Sequence, residues 1–138
     1  MFPAIPDVLL SVLAALIVAG GIKFVVNGLA GKWSLWSFVM TGGMPSQHTA
    51  IVSALATSIL ITEGFSTAFT VSLALTGIVI RDAFGMRRSV GEEGQALAKL
   101  LKKNHVKQQI HIVPGHTPRQ VFFGALLGVL IALIITFI

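Results

Sequence analysis

Long apolar stretches separated by short polar segments predict the helices of this chain. The first stretch runs from Val8 to about Val26, and the last runs from Val121 to Ile138. Each is long enough for a transmembrane helix, which needs roughly 17–25 residues. Two shorter stretches, Thr49–Ile61 and Phe65–Ile80, are separated by a brief turn at residues 62–64. We therefore expect the middle two helices to be short and to form a tight hairpin.

The longest polar segment, Arg81–Gln120, predicts one further helix. Ser89 and Glu92 have the spacing of a capping box, in which the two side chains satisfy N–H groups at a helix start. Four apolar residues that follow share one helical face: Ala96, Leu97, Leu100 and Leu101. The sequence thus predicts an all-α, polytopic membrane helical bundle of four apolar helices and one amphipathic surface helix. We expect it to form a single membrane-embedded domain over residues 1–138.

The composition supports burial in lipid. Hydrophobic residues make up 54% of the chain and charged residues only 11%, with a mean hydropathy of +0.88. A soluble domain carries about 25% charged residues, so this chain cannot cover itself with a water-facing surface. The absence of cysteine excludes a disulfide framework and a thiolate metal site.

The charge is strongly one-sided. The net charge is +5, and four membrane crossings would place all ten basic residues on the same face: Lys23, Lys32, Arg81, Arg87, Arg88, Lys99, Lys102, Lys103, Lys107 and Arg119. The positive-inside rule puts that face in the cytoplasm, which predicts a protein of the cytoplasmic membrane. Such a basic face favours anionic lipid head groups or a phosphorylated substrate as the partner, rather than nucleic acid.

The first candidate site motif precedes the second apolar helix. Gly42 and Gly43 allow close backbone approach to a ligand, and Pro45 with Ser46 marks a helix start, Ser46 being the expected N-cap. A helix N-terminus attracts anions, and His48 in its first turn can exchange a proton with one. The alternative is that this run only caps a helix and that His48 is an interfacial residue.

The second motif precedes the last helix. Thr117, Pro118 and Gln120 fit an N-cap, a first-turn proline and a capping-box glutamine, so His116 stands just before a helix start. Two histidines at helix starts on one face can converge on one phosphate, one as nucleophile and the other as general acid. The alternative is that these residues serve only to start the helix.

The third motif is the ionisable run that ends the hairpin. Arg87 and Arg88 present forked donors that suit phosphate oxygens, although snorkelling at the membrane surface is the alternative. Asp82 is expected to pair with an arginine or to orient a histidine. His105 and His111 lack such neighbours, and the four histidines show no metal-ligand spacing, so we expect neither metal nor cofactor.

Together the motifs resemble the divergent branch of the type 2 phosphatidic acid phosphatase and vanadium haloperoxidase superfamily. The resemblance lies in Gly42–Ala50, in Arg81–Gly91, and in Gly115–Pro118 ahead of Gly124–Gly128. It implies a phosphate site and metal-independent phosphoryl transfer, with the four apolar helices corresponding to the last four of the family's six.

The resemblance also implies roles for individual residues. His116 would be the nucleophile that forms a phosphohistidine, His48 would be the general acid, and Ser46 would contact phosphate. Lys23 matches the placement of a phosphate-binding lysine of the family. The phosphate-binding set is completed by residues suited to it by position: Lys32, Gly43, Arg87 and Arg88.

Three positions depart from the family's pattern. Ala30 and Ile110 replace two of its arginines, and Gln120 stands where its orienting aspartate belongs. A glutamine carbonyl can accept the imidazole N–H, but it cannot stabilise an imidazolium by charge. Asp82 is the alternative source of that charge.

These observations predict a membrane-embedded phosphatase-like protein that acts on a lipid phosphate or diphosphate, from either a phospholipid or a polyprenyl phosphate. The alternative is a catalytically weak or inactive membrane module that binds anionic lipid head groups. Small residues at Gly20, Gly21, Gly124 and Gly128 suit close helix contacts, which predicts a homodimer or a larger homo-oligomer.

Overall fold

The computed structural model describes residues 6–31, 33, 43–106, 108 and 115–138 of the chain. Every regular element among these residues is an α-helix. The helices are α1 (Asp7–Leu29), α2 (Gln47–Glu63), α3 (Thr67–Phe84), α4 (Met86–Lys103) and α5 (Pro118–Phe137). The predicted all-α bundle of four apolar helices and one amphipathic helix is confirmed.

Local signals account for the ends of the hairpin helices and of α5. Gly64 ends α2 with a φ of 68°, a conformation that favours glycine. Ser66 then caps α3 by accepting a hydrogen bond from the backbone N–H of Phe69 at 3.1 Å. Thr117 and Gln120 form the predicted capping box of α5, with Pro118 at its first position.

The predicted start of the amphipathic helix is wrong. Helix α4 begins at Met86, so Ser89 lies inside it, and the backbone N–H of Ser89 donates to the carbonyl of Gly85 at 3.1 Å. Because α4 follows α3 after the single residue Gly85, its first turn is already formed before Ser89 is reached. Leu97 and Leu100 on its apolar face are not covered by other parts of the chain. This is expected of a helix that lies on a membrane surface.

Helix α2 is the centre of the bundle and contacts α1, α3 and α5. Its closest approach is to α5, where an added Cβ at Gly124 or Gly128 would collide with the carbonyl oxygens of Ser46 and Ala50. Both glycines are therefore used within the chain, and the homo-oligomer prediction has to rest on other surfaces. Since residue numbers rise together along this contact, α2 and α5 run parallel.

Helices α1 and α3 run antiparallel to α2. The side chain of Gln47 donates to the carbonyl of Leu16 at 3.0 Å, and Ser11 donates to Ser58 at 3.4 Å near the other end of the contact. The hydroxyl of Thr76 on α3 donates to the carbonyl of Val52 on α2 at 3.1 Å. These directions bring the end of α1, the start of α2, the α3–α4 junction and the start of α5 to one end of the bundle.

The length and surface of the helices fit a membrane. Three segments among the described residues are long and apolar enough to cross one: Asp7–Leu29, Thr67–Lys103 (which comprises α3 and α4) and Pro118–Phe137. Helix α2, with 17 residues, spans about 25 Å at 1.5 Å per residue. The outer surface exposes large apolar side chains such as Ile17, Ile78 and Phe122, which suits contact with lipid. The chain is a membrane protein.

Candidate active site

Two backbone hydrogen bonds join the chain segments that meet at this end of the bundle. The N–H of Ser46 donates to the carbonyl of Gln120 at 3.1 Å, which ties the start of α2 to the start of α5. The N–H of His116 donates to the carbonyl of Ala83 at 3.0 Å, which ties the segment before α5 to the end of α3. These two bonds fix the backbone positions of the segments that carry the candidate side chains.

His116 is buried, with 3% of its surface exposed. Its ring Nδ1 lies 3.4 Å from the side-chain oxygen of Gln120. The same oxygen accepts the backbone N–H of Thr117 at 2.9 Å as part of the capping box. Gln120 therefore starts the helix and also faces the imidazole, so the two interpretations of this residue are compatible.

The surroundings of His116 favour the neutral form of its imidazole. Burial lowers the pKa of His116 below its ordinary value of 6.5, since a charged ring is poorly solvated there. The hydrogen bonds with Gln120 and with the backbone of Gly43 act in the opposite direction, and the positive charges of Lys23 and His48 lower the pKa further. A neutral imidazole carries the lone pair that a nucleophile needs.

Lys23 projects from the last third of α1 and is buried, with 3% of its surface exposed. Its carbon chain lies beneath Gly43, where an added Cβ would be 3.6 Å from Cε of the lysine. Gly43 has a φ of 77°, in the left-handed region, so the turn over Lys23 suits glycine for conformational reasons. The charge of Lys23 acts on both His48 and His116.

The start of α2 contributes Ser46 and His48. Ser46 occupies the predicted N-cap position, but its buried hydroxyl pairs with the hydroxyl of Thr49 at 2.9 Å and makes no side-chain cap bond. His48 is exposed in the first turn, within electrostatic reach of Arg87, Lys23 and Asp82. His48 is thus the more accessible of the two histidines and His116 the enclosed one.

The carboxylates near the site pair with arginines. Asp82 accepts a hydrogen bond from Nε of Arg87 in an ion pair, which is the first of the two partners considered for it. Arg88 pairs with Glu92 at 2.9 Å, a contact that the four-residue spacing on a helix could have predicted. Both pairs are partly exposed, so each stabilises the fold only slightly.

A polar cavity of about 180 Å³ lies between α4 and the segment before α5. Arg88, Glu92 and Gln95 line it from α4, and His116 and Thr117 line it from the other side. Sequence reasoning missed the contribution of Glu92 and Gln95, because it assigned α4 only to the membrane surface. The cavity therefore offers water or a polar group a path to the buried side chain of His116.

The remaining residues singled out from the sequence are either exposed or outside the described part of the chain. Lys32, Ile110 and His111 are outside the described residues. His105 is exposed beyond the end of α4. Among the residues that the structure describes, no group of three or more His, Asp or Glu side chains is placed to hold a metal ion. The contacts described above bring six of the candidate residues to one end of the bundle: Lys23, Gly43, Ser46, His48, His116 and Gln120. The Asp82–Arg87 and Arg88–Glu92 ion pairs lie beside them.

Comparison with known proteins identifies the family of this chain. The family model described as "Divergent PAP2 family" matches residues 6–131. The chain is 35% identical over 147 aligned residues to a protein of Bacillus subtilis (strain 168) named "Uncharacterized membrane protein YuiD", covering 94% of this chain and 93% of that protein. No solved structure matches. With the family model covering nearly the whole bundle, and with the two histidine motifs meeting at one end of it, this chain belongs to the divergent PAP2 family.

Proposed function

We propose that this protein is a membrane-embedded phosphatase of lipid phosphates or diphosphates that transfers the phosphoryl group through His116. The observation that carries the proposal is the environment of His116. A buried imidazole, held neutral and hydrogen-bonded through Nδ1 to Gln120, lies near a buried lysine and a second, accessible histidine. Two histidines and a cation form the minimum set for transfer through a covalent phosphohistidine.

In the first step, Nε2 of His116 attacks phosphorus while Nδ1–H donates to Gln120. A P–N bond forms as the P–O bond to the lipid breaks, and the leaving oxygen takes a proton from protonated His48. Lys23 and Arg87 neutralise charge on the phosphoryl oxygens, an electrostatic contribution that is often the largest in such reactions. The products of this step are the lipid alcohol and phosphohistidine.

In the second step, water attacks the phosphohistidine. His48, now neutral, takes the proton from that water as the new P–O bond forms and the P–N bond breaks. Inorganic phosphate leaves, and both histidines return to their starting protonation states. The polar cavity beside His116 supplies a route for this water, and no metal or cofactor takes part in either step.

Phosphate release tests the proposal. Purified protein in lipid nanodiscs is given phospholipid and polyprenyl phosphates, with and without a chelator, and released phosphate is measured. We expect turnover that is insensitive to chelator and abolished in His116→Ala and His48→Ala. His105→Asn is the matched control, because His105 is exposed and its φ of 55° is tolerated by asparagine. Undiminished turnover in His116→Ala would exclude the phosphohistidine mechanism.

Two observations favour the alternative, a catalytically inactive module that binds anionic head groups. Gln120 lies closer to the backbone N–H of Thr117 than to His116, and both Arg87 and Arg88 are engaged by carboxylates. Such a module would bind lipid phosphate in nanodiscs but release no phosphate from any substrate. Binding that is retained in His116→Ala, together with zero turnover in the native protein, would select it.

We also propose a homodimer or larger homo-oligomer in the cytoplasmic membrane, with the basic face in the cytoplasm. Gly21 supports the assembly, since an added Cβ there meets no atom of the described residues within 4 Å. Such a position on a membrane helix leaves room for close approach by another helix. The mass of the protein in nanodiscs measures this directly, and a strictly monomeric mass at several lipid ratios would contradict it.

A further inference from the structure

An apolar groove of about 390 Å³ lies between α1 and α5 on the side of the bundle. Ile22 and Val26 form its α1 wall, Phe123 and Leu130 belong to its α5 wall, and Met44 with Pro45 lines it beside the start of α2. Every lining side chain among the described residues is apolar. The mechanism proposed for His116 makes no use of this groove.

The groove borders the candidate active site through shared chain segments. Ile22 and Lys23 are consecutive on α1, and Met44 and Pro45 lie between Gly43 and Ser46. A molecule that fills the groove therefore ends beside the buried Lys23 and the turn at Gly43. Anion-binding groups and an apolar channel adjoin each other, and a lipid phosphate has the same two parts.

We infer that the groove binds the hydrocarbon chain of a single-chain lipid phosphate, in which an alkyl or isoprenoid chain is bonded directly to the phosphate oxygen. The inference rests on the proposed function and narrows its substrate class. In such a lipid the apolar chain is attached directly to the phosphate. The apolar groove likewise lies directly beside Lys23 and Gly43 of the candidate active site.

Two features disfavour a diacylglycerol phosphate in the groove. Its two ester carbonyls lie between phosphate and chains, and burying a polar group without a hydrogen bond costs about 1–3 kcal/mol in proteins. The described lining side chains offer no donor to them. The volume also lies near the lower end of the roughly 300–1,000 Å³ range of ligand pockets, which suits one chain better than two.

Photolabelling tests the inference without relying on turnover. The probe is an alkyl phosphate with a diazirine on its chain, applied to the full chain in nanodiscs, with labelled residues mapped by mass spectrometry. We expect labels on the groove lining, displaced by farnesyl phosphate and by dodecyl phosphate but not by farnesol or by dioleoyl phosphatidic acid. The two effective competitors separate isoprenoid from alkyl preference. Labels elsewhere, or equal displacement by farnesol or phosphatidic acid, would overturn the inference.

A groove-filling variant gives an independent measurement. Leu130→Trp obstructs the groove, and Leu133→Trp places the same side chain on α5 outside the groove lining. We expect Leu130→Trp to weaken displacement by farnesyl phosphate about tenfold, the effect of losing a modest apolar contact area, while Leu133→Trp leaves it unchanged. Equal effects of the two variants would contradict the inference. Labelling of the groove in a protein that releases no phosphate would instead reject the proposed phosphatase and leave this site standing.

Discussion

The side-chain oxygen of Gln120 accepts two hydrogen bonds, and this affects the protonation of His116. One comes from the backbone N–H of Thr117 and the other is shared with His116. A glutamine accepts both without carrying charge, so its hydrogen bond raises the pKa of His116 less than burial lowers it. Burial then dominates and the pKa of His116 falls.

Replacing Gln120 with glutamate should change the pH profile. Glutamate has the same length and also fits a capping box, so Gln120→Glu adds only the charge. The carboxylate stabilises the imidazolium and raises the pKa of His116, whereas burial lowers it below 6.5 in the native protein. A neutral nucleophile loses activity as pH falls through its pKa. We therefore expect the acid limb of phosphate release to move to higher pH and turnover on the plateau to increase.

The control is Gln108→Glu, which makes the same substitution at an exposed position. An unchanged acid limb in Gln120→Glu would show that His116 is not the group whose titration limits activity. An equal shift in Gln108→Glu would assign the effect to net charge.

Lys23→Met tests the buried cation. Methionine retains an unbranched chain beneath Gly43 but removes the charge that acts on both histidines. Loss of a charged hydrogen bond to phosphate costs about 1.5–3 kcal/mol, so kcat/KM for the lipid phosphate should fall roughly ten- to a hundredfold. Lys99→Met on the exposed surface of α4 is the matched control. Equal kinetics in the two variants would remove Lys23 from the site.

At the scale of helices, the α2–α5 contact determines the position of the site. Gly124 and Gly128 let the two helices approach until only glycine fits between them. This contact brings the carbonyl of Gln120 to the N–H of Ser46. The two histidine motifs are therefore held together by packing within the membrane as well as by their own loops.

Gly128→Ala should destabilise the bundle. The added Cβ would lie 2.9 Å from the backbone nitrogen of Ala54 and would collide with the carbonyl of Ala50, and overpacking of this kind costs about 1–3 kcal/mol. Gly77→Ala is the control, because its Cβ meets none of the described atoms within 4 Å. Thermal unfolding in mild detergent should show a lower midpoint for Gly128→Ala only. Equal midpoints would mean that the contact between α2 and α5 has room for an added methyl group.

The sequence contains two segments with capping-box spacing, and only the one at Thr117 starts a helix. At Thr117, Pro118 lacks an N–H and favours the start of a helix there, so both cap bonds form. At Ser89, the helix has already begun at Met86, and the serine has no free helix end to cap. Spacing predicts a helix start only where no earlier turn has formed.

For the whole molecule, membrane orientation can be measured directly because the chain has no cysteine. Single cysteines at Lys102 and Glu63 lie at exposed positions, one on the basic segment and the other at the hairpin turn. If the basic face lies in the cytoplasm, as we propose, an impermeant thiol reagent added to intact cells should label Glu63→Cys and spare Lys102→Cys. The reverse pattern would place the active-site face outside.

The sequence by itself determined the four apolar helices, their membrane character and the end of the bundle at which the motifs meet. These follow from apolar length, from local caps and from counting crossings, all of which depend on residues near one another in the chain. The tertiary structure decided that Lys23 is buried under Gly43, that Asp82 pairs with Arg87, and that Glu92 faces His116 across a cavity. It also decided that Gly124 and Gly128 pack inside the chain. Side-chain partners depend on how each helix is rotated and how closely it approaches its neighbours, and that is set by packing between segments distant in sequence.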